Sequence, residues 1–340
     1  MRTSASIRDY FRRICFTLLA CGCAYVGLAV AQLGAPTAMT ATTAHYARLQ
    51  EQAAARRGRK LLYASGSSGF YGVRCSELSR LIGRPAVNFG LHAGLGLRYL
   101  MDRCLAAASA GDVIVLGPEW ETYQGPRFGE YACDYIMSRR PDYFSALPIN
   151  LAAGVVISGG PQRVLSGVYS LLLNGRDAAH AGVPPEAVNE HGDRILTARD
   201  LERRKRNLVK TSAILPSWRN PPRELVADVA AFAVACRKKQ VQAVVVFPPM
   251  CVTAPPDAAQ SLAAEQGVRA LWESVGIPVL GEIDEAFYRP DDAFDTPYHL
   301  DQEAAIRHTL NLACLFMDST LPLLAIPGIP TDDEAVLEPR

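Results

Sequence analysis

The chain has 340 residues, of which 49% are apolar and 20% charged, and its formal net charge is +1. This composition is typical of a globular protein with a sizeable core and excludes a largely disordered chain. A charge balance so close to neutral gives no reason to expect nucleic acid as a partner.

The N-terminus carries an apolar stretch without charge, Ile14–Ala31, behind arginines at positions 2, 8, 12 and 13. As a helix this stretch extends about 27 Å, close to the thickness of a bilayer core. Three interpretations are open: a signal anchor, a signal peptide cleaved after Ala29-Val30-Ala31, and a lipoprotein attached at Cys21. We favour an anchor over residues 1–34. The arginines would stay in the cytoplasm, and the rest of the chain would cross the inner membrane into the periplasm.

Six cysteines lie outside this stretch: Cys75, Cys104, Cys133, Cys236, Cys251 and Cys314. Their spacings match no zinc pattern, and the sequence predicts neither a metal nor a cofactor. In an oxidising compartment they could form disulfides, in a pairing that the sequence does not define, or remain buried thiols.

After the apolar stretch, residues 35–59 are rich in Ala and Arg and predict a helical stalk. Residues 60–325 predict one α/β domain with a mostly parallel sheet, because short apolar runs alternate with helical patterns. The predicted strands are 60–65, 85–89, 112–116, 242–247 and 279–283. The predicted helices are 73–82, 97–108, 224–239, 262–275 and 302–317.

Two further segments interrupt or follow this alternation. Residues from about 125 to 220 predict a helical insertion, which would cap the active edge of the sheet or meet a membrane partner. Residues 326–340, rich in Pro, Asp and Glu, predict a loose tail.

The first predicted strand ends in Gly66-Ser67-Ser68-Gly69, which would present a hydroxyl at the carboxyl edge of the sheet. Open α/β folds bind their ligands at that edge. A serine becomes a nucleophile when a base takes its proton and an acceptor orients the base. Of the six histidines, His299 is the best candidate for the base, because it precedes the last helix and follows Asp295 by four residues.

An oxyanion at this edge would need preorganised N–H donors. The candidate donors are backbone amides in the glycine loops after the first two strands, those of Ser68, Gly69, Gly90 and Gly94. Glu119, at the end of the third strand, is a candidate for a second acid/base group or for an orienting side chain. A purely structural turn is the alternative interpretation of all these glycines.

Four short motifs follow one another in the order found in the SGNH (GDSL-like) hydrolases, which the chain resembles over about residues 60–120 and 240–315. They are Gly66-Ser67-Ser68, Asn88-x-Gly90…Gly94, Gly117-Pro118-Glu119-Trp120 and Asp295…His299. The resemblance implies a three-layer α/β/α sandwich with a flavodoxin-like sheet. It implies Ser68 as nucleophile, with Ser67 at the family's Asp position, and Asp295 and His299 as the acid–base pair.

The sequence departs from the family pattern at two places. Glu119 stands where the family has its oxyanion Asn, and the Asp–His spacing is one residue longer. Three features resemble the DltD-like branch: Gly66-Ser67-Ser68 in place of the family's GDSL, the N-terminal apolar stretch, and Pro118-Glu119-Trp120 in the third motif. Members of that branch are anchored outside the membrane and work beside a membrane-bound O-acyltransferase. This resemblance implies an esterase or O-acyltransferase that acts on an acylated glycan or another acyl donor.

The same departures favour an alternative from a different class, a catalytically silent scaffold or binding subunit of an O-acyltransferase complex. A nucleotide-binding α/β protein is a more distant alternative, because no GxGxxG pattern follows the first strand.

Overall fold

The structure is a computed structural model that describes residues 3–125, 127–172, 188–196, 200, 215, 221–254 and 256–319. The chain divides into two units: residues 1–44 with 128–183, and residues 45–127 with 184–340. The predicted tail, 326–340, lies outside the described residues, as does most of the 173–220 part of the predicted insertion.

A five-stranded parallel sheet forms the centre of the larger unit, in the order β2-β1-β3-β4-β6. Its strands are β1 (Leu61–Ala64), β2 (Ala86–Asn88), β3 (Val113–Leu116), β4 (Gln242–Val246) and β6 (Val279–Leu280). A separate parallel pair joins β5 (Met250–Cys251) to β7 (Phe287–Tyr288). The α/β class and all five predicted strands of the main sheet are therefore confirmed, with ends that differ by up to three residues.

Helices of this unit cover both faces of the sheet. Successive strand residues point to opposite faces, so each strand contributes side chains to two separate cores. Leu62 and Ile114 contribute to one core, whereas Leu61 and Val113 contribute to the other. The helices that follow β1 in the chain are α3 (Ser67–Gly72), α4 (Cys75–Ile82), α5 (Gly96–Ala107), α6 (Trp120–Gln124), α10 (Arg223–Lys239), α11 (Ala258–Glu273) and α12 (Gln302–Asp318).

Two local predictions differ from the structure. The helix expected at 73–82 starts earlier and is broken into α3 and α4, because Val73 has an extended backbone (φ −122°, ψ 135°). The expected stalk, 35–59, contains α2 (Ala41–Ala55), whose residues Ala53 and Ala54 belong to the buried core of the larger unit. An alanine-rich helix can pack against neighbouring elements or remain exposed. The composition of residues 35–59 therefore does not show whether this helix is buried or exposed.

The smaller unit is helical. It contains α1 (Thr3–Ala31), α7 (Glu130–Arg139), α8 (Pro141–Ala146) and α9 (Ile149–Leu172). Of the predicted insertion, residues 130–172 are helical with short connections, whereas the described residues 188–196 form a turn in which Val188 and Arg194 make an antiparallel bridge. In α1, the segment Ile7–Ala31 includes an 18-residue window with a mean hydropathy of 2.2, and it is long and apolar enough to span a membrane, as an anchor or as a signal sequence.

Candidate active site

The turn between β1 and α3 is held by the carboxylate of Glu119, which follows β3. One oxygen of Glu119 accepts the Gly66 N–H at 2.8 Å and the other accepts the Ser68 N–H at 2.7 Å. A Cβ atom at residue 66 would collide with both oxygens, so only glycine fits there. Burial raises the pKa of Glu119, and the hydrogen bonds from Ser68 and Gly66 act in the opposite direction. Glu119 is therefore an orienting group for the serine turn.

The two serines of this turn have different surroundings. Ser68 is 0% exposed, and its hydroxyl oxygen makes no hydrogen bond of good geometry within the described part of the chain. Ser67, the first residue of α3, is partly exposed. Neither its amide nor its hydroxyl is hydrogen-bonded to another described residue. Ser67 is thus the serine whose side chain can be reached from solvent.

The expected oxyanion donors already have acceptors within the protein. The Gly69 amide donates to Ser65 Oγ at 2.8 Å, and the Gly90 amide donates to Asn88 Oδ1 at 2.8 Å. The Gly94 amide donates to His92 Nδ1 at 3.0 Å.

Asn88 also has a structural task. It is fully buried, and its amide group donates to the carbonyls of Gly69 and Val73, each at 2.9 Å. It fastens the end of β2 to the first turn of the serine segment and keeps none of its polar atoms for a ligand.

The predicted acid and base are adjacent. Asp295 Oδ1 and His299 Nδ1 are 2.5 Å apart, and the two side chains are 22% and 14% exposed. The loop between them is tight, because the Phe294 amide donates to the His299 carbonyl at 2.6 Å. A carboxylate on Nδ1 fixes the imidazole so that Nε2 is the nitrogen that can accept a proton.

Tyr71 connects this pair to the serine helix. Its ring stacks on the imidazole of His299, with ring centroids 4.0 Å apart and planes at 13°, and on Phe294 at 5.6 Å. Tyr71 is four residues after Ser67 in α3, so the two side chains share one face of the helix. The stack therefore brings the Asp295–His299 loop to the face of α3 that carries Ser67.

A second histidine lies near His299. Desolvation, followed by the positive charge of His299, lowers the pKa of His92. Neither His92 nor Tyr71 was among the candidate residues that the sequence offered. The four-residue spacing from Ser67 to Tyr71 could have indicated that Tyr71 shares a helix face with Ser67. The position of His92 after β2 could have indicated that it lies at the carboxyl edge of the sheet.

The structure thus brings Asp295 and His299 together and links them to α3. It shows no hydrogen bond from either serine to His299 among the described residues. No protein-family model matches the chain, and no curated protein matches it significantly.

Proposed function

We propose that the protein is a membrane-anchored serine esterase or O-acyltransferase that acts outside the cytoplasm on acyl esters of a cell-surface or exported polysaccharide. One observation carries the proposal: the Asp295–His299 pair is stacked on Tyr71 of the helix that begins with Ser67 and Ser68. The strand order and the two helix-covered faces agree with the flavodoxin-like sandwich of the SGNH hydrolases.

The chemistry follows from the base. Nε2 of His299 takes the proton of a serine hydroxyl while the oxygen attacks the ester carbonyl, and Asp295 stabilises the imidazolium. Collapse of the tetrahedral species expels the alcohol, which receives the proton from His299. Water or a sugar hydroxyl then gives its proton to His299 and attacks the acyl-serine. Collapse of this second tetrahedral species breaks the bond to the serine oxygen, which takes the proton back from His299, and releases the acid or a new ester. Exclusion of water from the site decides between the two outcomes.

We propose Ser67 as the nucleophile, whereas the resemblance implies Ser68. A nucleophile must reach both the substrate and the base, and Ser68 is fully buried. Ser67 is partly exposed and lies on the same helix face as Tyr71, against which His299 stacks. Ser68, one residue further along α3, points about 100° away from that face.

The same assignment supplies a donor for the oxyanion. The Ser67 amide has no acceptor among the described residues, whereas the amides of Ser68, Gly69, Gly90 and Gly94 do. A nucleophile's own N–H is a usual member of an oxyanion hole. The occupied amides are also the observation that favours the alternative function, a catalytically silent scaffold of a membrane-bound O-acyltransferase complex.

A serine-directed fluorophosphonate distinguishes these two functions without knowledge of the acyl group. The phosphonate bonds to an activated serine oxygen and fluoride leaves. We expect the full-length protein in detergent to be labelled, and His299→Ala to lower the labelling rate at least about 100-fold. His45→Ala, on α2, is the matched control and should label as the wild type does. Folded wild type that takes up no label would overturn the enzyme proposal in favour of the scaffold.

A further inference from the structure

Helix α9 of the smaller unit has an apolar outer face. Its sequence contains a single charged residue, Arg163, whose Nε lies 2.8 Å from Asp134 Oδ1 in a buried ion pair. Six large apolar side chains along the helix are each at least 56% exposed: Ile149, Ile157, Leu165, Tyr169, Leu171 and Leu172. Such a face is costly in water and favourable in contact with lipid.

The position of α9 relative to α1 follows from two contacts. The hydroxyl of Tyr25 donates to the Val156 carbonyl at 3.0 Å, and Arg163 Nη1 donates to Gln32 Oε1 at 3.3 Å. Gln32 directly follows α1. Seven residues separate the two partners on each segment, so the middle of α9 runs beside the C-terminal end of α1 in the same direction. Tyr25 lies six residues before the end of the apolar span at Ala31. Val156 is therefore about 9 Å inside that end, and Ile149 about 10 Å deeper.

The second half of α9 changes direction at Gly160, which has a left-handed backbone (φ 63°) and precedes Pro161. After this kink the helix stays near the end of the span. Arg163 Nη2 donates to the Ala35 carbonyl at 3.4 Å, and Ser170, two turns later, donates to the carbonyl of Pro36. A kinked helix with apolar residues on its outer side is suited to the boundary between acyl chains and headgroups.

We propose that α9 is embedded in the same bilayer as α1. Its first half, 149–159, lies against acyl chains beside α1, and its second half, 161–172, lies at the interface. The argument for lipid as the occupant is continuity: the outer face of α9 extends the exposed apolar surface of α1, and its one charge is paired inside the unit. The inference rests on membrane insertion of α1 and is independent of catalysis.

Tryptophan quenching in lipid nanodiscs tests this placement on the full-length chain. Ile149→Trp and Ile157→Trp are read in nanodiscs whose lipids carry bromine in the middle of the acyl chains, against the same discs without bromine. Both positions are exposed, so the substitutions should not disturb packing. Val234→Trp, exposed on α10 of the other unit, is the negative control, and Leu18→Trp, exposed on α1, is the positive control.

We expect bromine to remove at least half of the fluorescence that each α9 tryptophan adds to the wild-type signal, as at Leu18, and to leave that of Val234→Trp unchanged. An added signal that survives at either α9 position, with quenching at Leu18, would overturn the inference and leave the anchor intact. If Leu18→Trp itself is not quenched, α1 does not span the bilayer, and the anchoring part of the proposed function fails with the inference.

Discussion

The two edges of the parallel sheet each hold a pair of ionisable side chains in contact, and the pairs differ in which of their polar atoms are left without a hydrogen bond. At the amino edge, Lys60 and Asp112 precede β1 and β3, and their side chains are 4% and 0% exposed with Nζ and Oδ2 2.7 Å apart. The other oxygen, Asp112 Oδ1, accepts the Lys60 amide at 2.9 Å, and Oδ2 also accepts the Ser109 amide at 2.7 Å. Both oxygens of Asp112 are thus occupied.

At the carboxyl edge the pair is Asp295 and His299, and both side chains are partly exposed. Asp295 contacts Nδ1 of His299, and Nε2 has no hydrogen bond among the described residues. Ser67 lies on the helix whose Tyr71 stacks on His299, and neither its amide nor its hydroxyl is hydrogen-bonded to another described residue. Short contacts alone therefore do not distinguish a structural pair from a reactive one. At the carboxyl edge the Asp295–His299 pair leaves one imidazole nitrogen without a hydrogen bond among the described residues, whereas at the amino edge both oxygens of Asp112 are hydrogen-bonded.

The strongest way to break this comparison is the same isosteric change at both edges. We expect Asp295→Asn to lower the fluorophosphonate labelling rate about 100- to 10,000-fold, because an amide no longer holds the required imidazole tautomer. Its unfolding free energy should change by less than about 1 kcal/mol, since the pair is partly exposed. Asp112→Asn should lower that free energy by about 3–5 kcal/mol, because Lys60 is left as an unpaired buried charge.

Urea titration measures the second quantity and the labelling rate of the folded fraction measures the first. For Asp112→Asn that rate should equal the wild-type rate. The opposite result, a stable Asp112→Asn variant or an Asp295→Asn variant that labels normally, would show that the two edges do not divide structure from chemistry in this way.

The third prediction compares His299 with His308 and concerns the pH dependence of stability. His308 is buried in α12, and its neighbour at Nδ1 is the hydroxyl of Tyr288 rather than a carboxylate. Burial lowers the pKa of His308 to about 3. The folded imidazole thus stays neutral where the unfolded one gains a proton, near pH 6.5. Stability is therefore fully present above pH 6.5 and is lost as the pH falls towards 3, by up to about 1.4 kcal/mol per pH unit.

The variant His308→Gln, which cannot be protonated, isolates this contribution. Between pH 6.5 and pH 4 its unfolding free energy should decline less steeply than that of the wild type, by the amount given above. Parallel curves for the two proteins would mean that His308 is protonated in the folded state as easily as in the unfolded chain.

The sequence was sufficient for the main sheet, because runs such as Val113–Leu116 are apolar at every position and are bounded by turn residues. It was also sufficient for the Asp295–His299 pair, which is local in the chain and depends on one short loop. It was insufficient for α2, since alanines such as Ala53 carry no periodic signal that tells a buried helix from an exposed one.

The serine turn shows a second kind of failure. The sequence does not distinguish Ser67 from Ser68, because both lie in the same Gly/Ser turn. Which of the two hydroxyls faces solvent depends on the residue at which the helix starts. That start is set by Glu119, 51 residues from Ser68, through its bonds to the Gly66 and Ser68 amides. A tertiary contact of this length cannot be read from the local pattern, and it also occupies the Ser68 amide that the sequence offered as an oxyanion donor.

The most direct test of the proposed function is to find the residue that a fluorophosphonate modifies, by peptide mass mapping of labelled wild type, Ser67→Ala and Ser68→Ala. We expect the label on Ser67, its loss in Ser67→Ala, and at least half of the wild-type labelling rate in Ser68→Ala. A label on Ser68, with Ser67→Ala still reactive, would contradict the assignment of the nucleophile while leaving a serine enzyme. Absence of label from all three folded proteins would contradict the enzyme itself.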